Sequence, residues 1–390
     1  MEMTTPSTAK SSANIFHHNT RREIMIDMTS NEALKNEYER QRAERRENEQ
    51  KANILVAGGT GSGKSSLVNL VFGDHTAEVG AGQSITRGIN RFEHDSFVLF
   101  DSEGYESGEE SQASYRNNIL GVLEDGRRHG RDAIHLVWYC ISLAGHRVLN
   151  IDIDTVNAIT AKKIPVCVVL TQADNASDAE SEAMRETILR KCVGVPFFET
   201  STDPIVGLST DPLIEWSAKN LDEGIRSVFL SGVRGGIPAK QAEGVRIILT
   251  HTVSAAGIAA SPIPMSDAPL LVANQVAMIG RLVHLWEIKG AKAALQSAVV
   301  GQALSIAGRS LAGNALKLIP GVGSTGGAAI NATVASTLTG ALGYAINEIC
   351  ARIYSDTLNG TVKEIASYFD AGVVSELVKG YLSTKEPASA

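Results

Sequence analysis

Short apolar runs alternate with longer amphipathic stretches over residues 52–235. The candidate strands read NILVAGG, NRFEHD, SFVLFDSEG, AIHLVWYCIS, VCVVLTQAD and VPFFETS in chain order. Strands separated by helical patterns are typical of βαβ units, in which neighbouring strands run parallel. The pattern therefore predicts an α/β domain at 52–235, with a mainly parallel sheet flanked by helices.

The C-terminal part of the chain has a different pattern, rich in Ala, Gly, Ser, Thr and Leu. Between residues 293 and 347 the only formally charged residues are Arg309 and Lys317. This composition predicts an all-α domain over 236–385. Prolines interrupt its apolar stretches at Pro262, Pro264, Pro269 and Pro320. Because an interior proline ends or kinks a helix, we expect apolar segments of roughly 15 to 20 residues, which is short for crossing a bilayer.

Residues 1–51 begin as a polar tail and end in a predicted helix. A capping-box pattern, TSNE at 29–32, precedes the run EALKNEYERQRAERRENEQK, which is rich in helix formers of both charge signs. Little of this run is apolar. It indicates a solvated helix that leads into the first strand, and docking on the C-terminal region or on a partner is the alternative.

The net charge, the cysteines and the N-terminal sequence indicate which partners and which cellular compartment to expect. The formal net charge of −7 argues against a nucleic-acid partner, which requires a concentrated basic face. The four cysteines have neither metal-binding nor redox spacing, as expected in a reducing compartment. The polar N-terminus lacks the apolar core of a signal peptide. These features predict a cytoplasmic protein.

The stretch AGGTGSGKSS at 57–66 follows the first apolar run and predicts a polyphosphate site. Its spacing matches G-x-x-x-x-G-K-[ST], in which successive backbone N–H groups and the start of a helix bind phosphate oxygens. Lys64 is expected to contact the β- and γ-phosphates, and the Ser65 hydroxyl to bind Mg²⁺. The predicted nucleotide contacts in this loop are Gly58, Gly59, Thr60, Gly61, Ser62, Gly63, Lys64, Ser65 and Ser66.

A second polar motif, DSEG at 101–104, ends another candidate strand. Asp101 is positioned to hold Mg²⁺ through water, and the N–H of Gly104 to contact the γ-phosphate. Thr86, in the preceding loop EVGAGQSITRG, can supply a further Mg²⁺ ligand. The predicted metal residues are therefore Ser65, Thr86 and Asp101, and the predicted catalytic residues are Lys64, Thr86 and Gly104.

A third motif, TQAD at 171–174, predicts which base is bound. The Asp174 carboxylate can accept the N1–H and N2–H of guanine, whereas adenine would leave its oxygens unpaired. Thr171 and Gln172 are the other predicted base contacts, with Gln172 at a position where lysine is usual. Ser201, in the stretch ETSTD, is expected near the base O6.

In this order, GGTGSGKSS, Thr86, DSEG, TQAD and ETS resemble the motifs of a GTPase G domain. The phosphate loop is similar to those of septins and immunity-related GTPases, whereas VGAGQSITRGI and HLVWYCIS resemble Era-like bacterial GTPases. The run LIPGVGSTGGAAINATVASTLTGALGYAI looks like a hydrophobic helical module of uncharacterised function that accompanies such G domains. The resemblance implies a P-loop NTPase G domain at 52–235 followed by an all-α domain.

The residue after Gly104 departs from the Ras-like pattern. Tyr105 stands where those enzymes have a glutamine that orients the attacking water, and Gly61 stands where some Era-like relatives have an asparagine that recruits potassium. The resemblance therefore implies a GTPase whose hydrolysis is slow unless self-association or a partner supplies a group in trans.

The predicted function is a GTP-binding and GTP-hydrolysing switch that uses Mg²⁺ and controls the C-terminal helical domain. A nucleotide-dependent scaffold or membrane-remodelling assembly with weak hydrolysis is the alternative from another class, and an ATP-using P-loop enzyme is a third. The expected partners are a guanine nucleotide, a second copy through the G domain, and a membrane surface or protein at the helical domain. Binding of the helical domain to a membrane surface would place this cytoplasmic protein on the inner face of a membrane.

Overall fold

The computed structural model describes residues 40, 50–73, 83–86, 88–106, 108–129, 132–260, 267–288 and 327–383. The chain divides into two compact units. The first comprises Glu49–Lys240, and the second contains the described helical residues from Gln241 onward. The domain boundaries at 51/52 and 235/236 stay a prediction.

A seven-stranded sheet forms the centre of the first unit, in the order β2-β3-β4-β1-β5-β6-β7. The strands are β1 (Ala52–Gly58), β2 (Gln83–Thr86), β3 (Ile89–Glu93), β4 (Phe97–Ser102), β5 (Leu136–Ser142), β6 (Val166–Thr171) and β7 (Phe197–Glu199). From β4 to β7 all neighbours are parallel, and β2 and β3 add an antiparallel edge. The mainly parallel α/β fold is therefore confirmed.

In the described part of this unit, six α-helices accompany the sheet. They are α1 (Lys64–Phe72), α2 (Glu109–His129), α3 (Asn150–Ala161), α4 (Asp178–Lys191), α5 (Asp211–Lys219) and α6 (Glu223–Gly232). Local sequence signals mark where two of these helices begin. Ser177 and Glu180 form a capping box at α4, and a proline occupies the first turn of α5, where its missing N–H has no consequence.

The core lies along the central strands. Every residue of β1 is buried, and so are the first six residues of β5. Central parallel strands are covered on both faces and therefore read as continuous apolar runs. The indole of Trp138 on β5 is fully buried and stacks with Phe72 of α1 at 5.8 Å between ring centroids.

All four cysteines are buried as free thiols. Cys140 and Cys167 lie on β5 and β6, Cys192 follows α4, and Cys350 belongs to the helical unit. Burial raises the pKa of Cys140 and of Cys350 to about 12. These thiols therefore pack as small apolar groups and are not nucleophiles at neutral pH.

The edge strand β2 was not predicted. Its sequence, QSIT, lacks an apolar alternation, and we expected a loop there. Gln83 and Ser84 pair with Arg91 and Asn90 of β3, and the register shifts before Thr86. An edge strand can form from polar residues because its backbone hydrogen bonds go to a neighbour that is already in place.

The helical unit contains most of α7 (Ile237–Ala259), together with α8 (Asp267–Leu285), α9 (Gly327–Leu358), α10 (Ile365–Tyr368) and α11 (Ala371–Ser383). Helices α7 and α9 are longer than the apolar segments expected from the prolines. Glycines allow close packing without ending α9, since a Cβ on Gly343 would lie only 2.8 Å from Ile248 of α7. Buried polar pairs also join the helices, such as the indole N–H of Trp286 donating to Asn347 Oδ1 at 2.8 Å.

Within the described residues, no helix combines the length and the apolar character that crossing a bilayer requires. Several predictions concern residues outside the described part. These are the N-terminal helix apart from residues 40, 50 and 51, the loop at 74–82, Pro262, Pro264, Pro320, and the stretch 289–326 with Arg309 and Lys317.

Candidate functional site

The predicted motifs lie at the carboxyl ends of neighbouring parallel strands. The phosphate loop follows β1, the DSEG motif follows β4, and TQAD follows β6. These strands belong to one sheet, in which β4 and β5 flank β1 and β6 flanks β5. In open α/β sheets this edge, where the strand order changes direction, is the usual ligand site.

Glycines give the phosphate loop its shape. Gly58, Gly61 and Gly63 have φ angles of 138°, 73° and 78°, which L side chains rarely adopt. At Gly58 the space is also closed, because a Cβ there would lie 2.2 Å from the carbonyl oxygen of Cys140. The backbone can curl beside β5 only because this position has no side chain.

At the amino end of α1, the described residues supply no side chain that caps the helix. Gly63 is the N-cap, and no acidic residue lies in the first turn. Ser65 and Ser66 are exposed, whereas the Ser62 hydroxyl is buried without a hydrogen-bond partner among the described residues. Helix N–H groups left in this way attract an anion, so the loop fits a phosphate group.

Lys64 and Asp101 form the charged centre of the loop. The Lys64 ammonium donates to the carbonyl oxygens of Gly58 and Gly59, both at 3.0 Å. Burial lowers the pKa of Lys64, and the charge of Asp101 opposes this effect. Burial likewise raises the pKa of Asp101, opposed by Lys64. The partly buried Asp101 carboxylate and the Ser65 hydroxyl are hard oxygen donors of the kind that Mg²⁺ prefers.

Gly104 lies directly against the phosphate loop. A Cβ on Gly104 would come within 2.2 Å of the backbone nitrogen of Thr60. Thr86 ends β2 and pairs with Ile89, which in turn pairs with Ser102 of β4. The backbone of Thr86 is thus two strands away from the DSEG motif, and its side chain lies outside the described part of the chain.

The TQAD motif is tied to the phosphate loop by Thr171. Its hydroxyl donates to the carbonyl oxygen of Ser62 at 2.8 Å, and a Cβ on Gly63 would lie 3.0 Å from the Thr171 side chain. Gln172 adopts a left-handed conformation with φ 56°, and its Oε1 accepts a hydrogen bond from Ser142 at 2.5 Å. A strained non-glycine residue that is held by its side chain is typical of a functional loop.

Asp174 and Ser201 are in direct contact. The Ser201 hydroxyl donates to Asp174 Oδ1 at 2.5 Å and accepts from the N–H of Asp203 at 3.0 Å. Asp174 lies exposed in a short 3₁₀ turn, Ala173–Asn175, and its second oxygen accepts from the Asn175 amide. The exposed Asp174 carboxylate is therefore oriented by a hydrogen bond to each of its oxygens.

Sequence reasoning missed a buried polar network below the phosphate loop. Tyr115 of α2 accepts the N–H of Gly58 at 2.7 Å. Asp152 of α3 accepts hydrogen bonds from Tyr105 at 2.7 Å and from Tyr139 at 3.0 Å, and burial raises its pKa. Tyr139 gave a usable signal, because a tyrosine inside a fully apolar strand needs a partner for its hydroxyl.

Comparisons with known proteins agree with this geometry. Residues 53–172 match the family model described as 50S ribosome-binding GTPase. The probable GTP-binding protein EngB of Caldanaerobacter subterraneus subsp. tengcongensis is 28% identical over 170 residues, which cover 40% of this chain and 77% of that protein.

Two solved structures are similar at low identity. A probable GTP-binding protein engB covers 43% of this chain and 100% of its own, with 19% identity and a TM-score of 0.33. An oligomerised bacterial dynamin pair, described as sensing and tethering membranes, covers 85% of this chain and 80% of its own, with 9% identity and a TM-score of 0.31. The sheet order, the phosphate loop and the family match together identify a GTPase G domain, with the P-loop GTPase fold, within this chain.

Proposed function

We propose that this chain is a guanine-nucleotide switch that binds and hydrolyses GTP at the loop between β1 and α1. The observation that carries the proposal is the hydrogen bond from Thr171 to Ser62. It fixes the candidate base-reading loop against the candidate phosphate loop. The two ends of one nucleotide can then be held by a single rigid edge of the sheet.

The residues at this edge have distinct proposed roles. Lys64 binds the β- and γ-phosphates, the loop N–H groups from Gly59 to Ser66 bind phosphate oxygens, and Gly104 contacts the γ-phosphate. Ser65, Thr86 and Asp101 are the proposed ligands of Mg²⁺. When bound, Mg²⁺ would neutralise the negative charge that develops on the phosphate group during transfer. Asp101 would then be ionised, because a cation opposes the effect of burial on its pKa.

The choice of guanine is assigned to Asp174, and Asp174→Asn tests it. We expect the variant to bind GDP about 10- to 100-fold more weakly than the wild type, since it loses a charged acceptor for two base N–H groups. It should gain affinity for xanthine nucleotides, whose C2 carbonyl can accept from the new amide. Titrations with GDP, GTP, ATP and XTP measure both effects.

Asn175→Ala is the matched control for this experiment. Asn175 also contacts the Asp174 carboxylate but comes after the proposed reader, so base preference should be retained. Preference of the wild type for adenine or xanthine nucleotides, or no binding of GTP and GDP at millimolar concentration, would contradict the proposed function.

Hydrolysis is proposed to be slow in the isolated chain. Tyr105 stands where a glutamine would orient the attacking water, and a phenol cannot hold that water as a carboxamide does. A second copy or a partner would then supply the stabilising group, an effect worth about 10³- to 10⁵-fold in known cases. We expect turnover per molecule to rise with protein concentration. Constant turnover across a wide concentration range would exclude self-activation.

The helical unit is proposed as the part that responds to the nucleotide. Leu249 and Val253 of α7 and Leu270 of α8 are 50%, 72% and 56% exposed. Exposed apolar side chains on helices favour contact with a protein partner or a membrane surface. Flotation with liposomes in GTP, in GDP and without nucleotide separates these two. The assembly-scaffold alternative predicts flotation or sedimentation that depends on GTP binding and not on its hydrolysis.

Finer assignments rest on the sequence resemblance. An Era-like or septin-like subclass, with the helical module as its C-terminal part and a cytoplasmic or membrane-peripheral location, is consistent with the motif order. No nucleic-acid partner is proposed, given the net charge of −7.

A further inference from the structure

Tyr105 is held at both ends by different parts of the first unit. Its carbonyl oxygen accepts hydrogen bonds from the N–H and the hydroxyl of Thr60, both at 3.4 Å. Its hydroxyl donates to Asp152 Oδ1 at 2.7 Å. The ring lies over the phosphate loop, 3.3 Å from the position of a Cβ on Gly59. We call residues 103–106 the switch segment and the Tyr105–Asp152 hydrogen bond the latch.

Asp152 is a fixed anchor for the latch. Only 3% of this residue is exposed. Its Oδ1 also accepts from Tyr139 at 3.0 Å, and its Oδ2 accepts from the N–H of Leu149 at 3.1 Å, at the start of α3. A buried carboxyl group whose oxygens are all paired has little freedom to move, because moving would leave polar atoms unsatisfied. The phenol end of Tyr105 is therefore attached to the rigid core.

The latched switch segment contacts the groups that a third phosphate needs. The backbone of Gly104 touches that of Thr60, where a Cβ would be 2.2 Å from nitrogen and 2.5 Å from Cα. The Thr60 N–H is directed to the carbonyl of Tyr105. In a phosphate loop such N–H groups bind phosphate oxygens, and the γ-phosphate is the one that meets the D-x-x-G motif. A triphosphate must therefore displace this segment, whereas a diphosphate need not.

A cavity beside the segment provides room for this displacement. It has a volume of about 190 Å³ and is lined in part by Gly104, Tyr105, Ser102, Ser114 and Asn118. The hydroxyls of Ser102 and Ser114 and the amide of Asn118, which lie outside the segment, can replace hydrogen bonds that the segment loses as it moves. A second position of the segment in this space would not require the core below it to open.

We propose that Tyr105 determines which phosphorylation state of the nucleotide is preferred: the latch holds the switch segment on the phosphate loop and so lowers the affinity for the triphosphate relative to the diphosphate. The inference rests on the proposed function, because it assumes that guanine nucleotides bind at this loop. Tyr105 is a positioning residue here, since it acts through the placement of Gly104 and Thr60.

Tyr105→Phe tests the latch by removing one hydroxyl and keeping the ring. We expect the ratio of affinities for a non-hydrolysable GTP analogue and GDP to rise about 10-fold, as for the loss of one buried hydrogen bond. Asp152→Asn should shift the ratio in the same direction by less. The double variant should not exceed Tyr105→Phe, because both changes remove one interaction. Calorimetric titration measures each affinity.

Tyr139→Phe is the matched control. It removes a hydroxyl that donates to the same Asp152 oxygen but comes from β5 and not from the switch segment. It should reduce stability and leave the affinity ratio within about 2-fold of the wild type. An equal shift in Tyr139→Phe, or no shift in Tyr105→Phe, would overturn the proposal.

A second measurement needs no nucleotide. Amide hydrogen exchange over residues 101–115 should be faster in Tyr105→Phe than in the wild type or in Tyr139→Phe, because the segment opens more often. Unchanged exchange would overturn the latch whether or not nucleotide binds. Failure of the wild type to bind any guanine nucleotide would instead overturn the proposed function, so the two failures can be told apart.

Discussion

Replacing Lys64 by methionine should reduce the affinity for GTP with Mg²⁺ about 1000-fold, since the proposed charge-assisted contacts to two phosphates would be lost at roughly 1.5–3 kcal/mol each. The methionine retains most of the apolar stem, so the loss isolates the ammonium group. In the structure this ammonium reaches the loop carbonyls of Gly58 and Gly59 at 3.0 Å, beside the phosphate loop N–H groups. Fluorescence titration with a labelled GTP analogue measures the change.

Lys51→Met provides the control for the loss of a positive charge. Lys51 precedes β1 and pairs with Glu93 at 2.9 Å at the surface. Such a pair contributes little, so this variant should bind GTP within about 2-fold of the wild type. In Lys64→Met, Asp101 also loses the neighbour that lowers its pKa, so the pKa of this carboxyl should rise further. A Lys64→Met protein that binds GTP as tightly as Lys51→Met would contradict the phosphate role.

Gly58→Ala should lower the free energy of unfolding by about 3 kcal/mol or more and prevent nucleotide binding. The added methyl group would lie 2.2 Å from the Cys140 carbonyl oxygen, at a φ of 138°. This contact cannot relax cheaply, because Gly58 and the Cys140 carbonyl belong to the backbone of neighbouring strands at the centre of the sheet. Urea denaturation followed by far-UV circular dichroism measures the loss.

Gly61→Ala separates backbone strain from this clash. Gly61 also has a positive φ, 73°, but nothing lies within 4 Å of a Cβ there. It should therefore show only the strain of a left-handed alanine, about 1 kcal/mol. Equal destabilisation of the two variants would mean that the contact with Cys140 has no effect of its own.

Much of the sheet could be predicted because its central strands are continuous apolar runs. The buried strands β1 and β6 stand out from the amphipathic helices between them, and their order along the chain implies parallel pairing. The edge strand β2 could not be predicted, since QSIT owes its conformation to pairing with β3. The helix lengths were also missed, because a glycine such as Gly343 is tolerated where another helix packs against it.

In the site, too, features set by neighbouring residues could be predicted, whereas contacts between residues far apart in the chain could not. The candidate phosphate loop follows a local spacing rule, so the residues from Gly58 to Ser66 could be proposed from sequence alone, and their contacts with a nucleotide stay a prediction. The partnership of Tyr105 and Asp152 spans 47 positions and depends on how α3 meets the sheet. From sequence, Tyr105 could be read only as the absence of a glutamine, and Asp152 as an ordinary residue of a helical pattern.

The burial of the four cysteines makes the folded protein convenient for site-specific labelling. Maleimide reagents attack exposed thiolates, which the native sequence does not offer once it is folded. A single cysteine introduced at the exposed Glu106 could therefore carry a fluorophore or a spin label without prior removal of native thiols. Such a probe would report the position of the switch segment in real time, and its signal could be compared among the different nucleotides added.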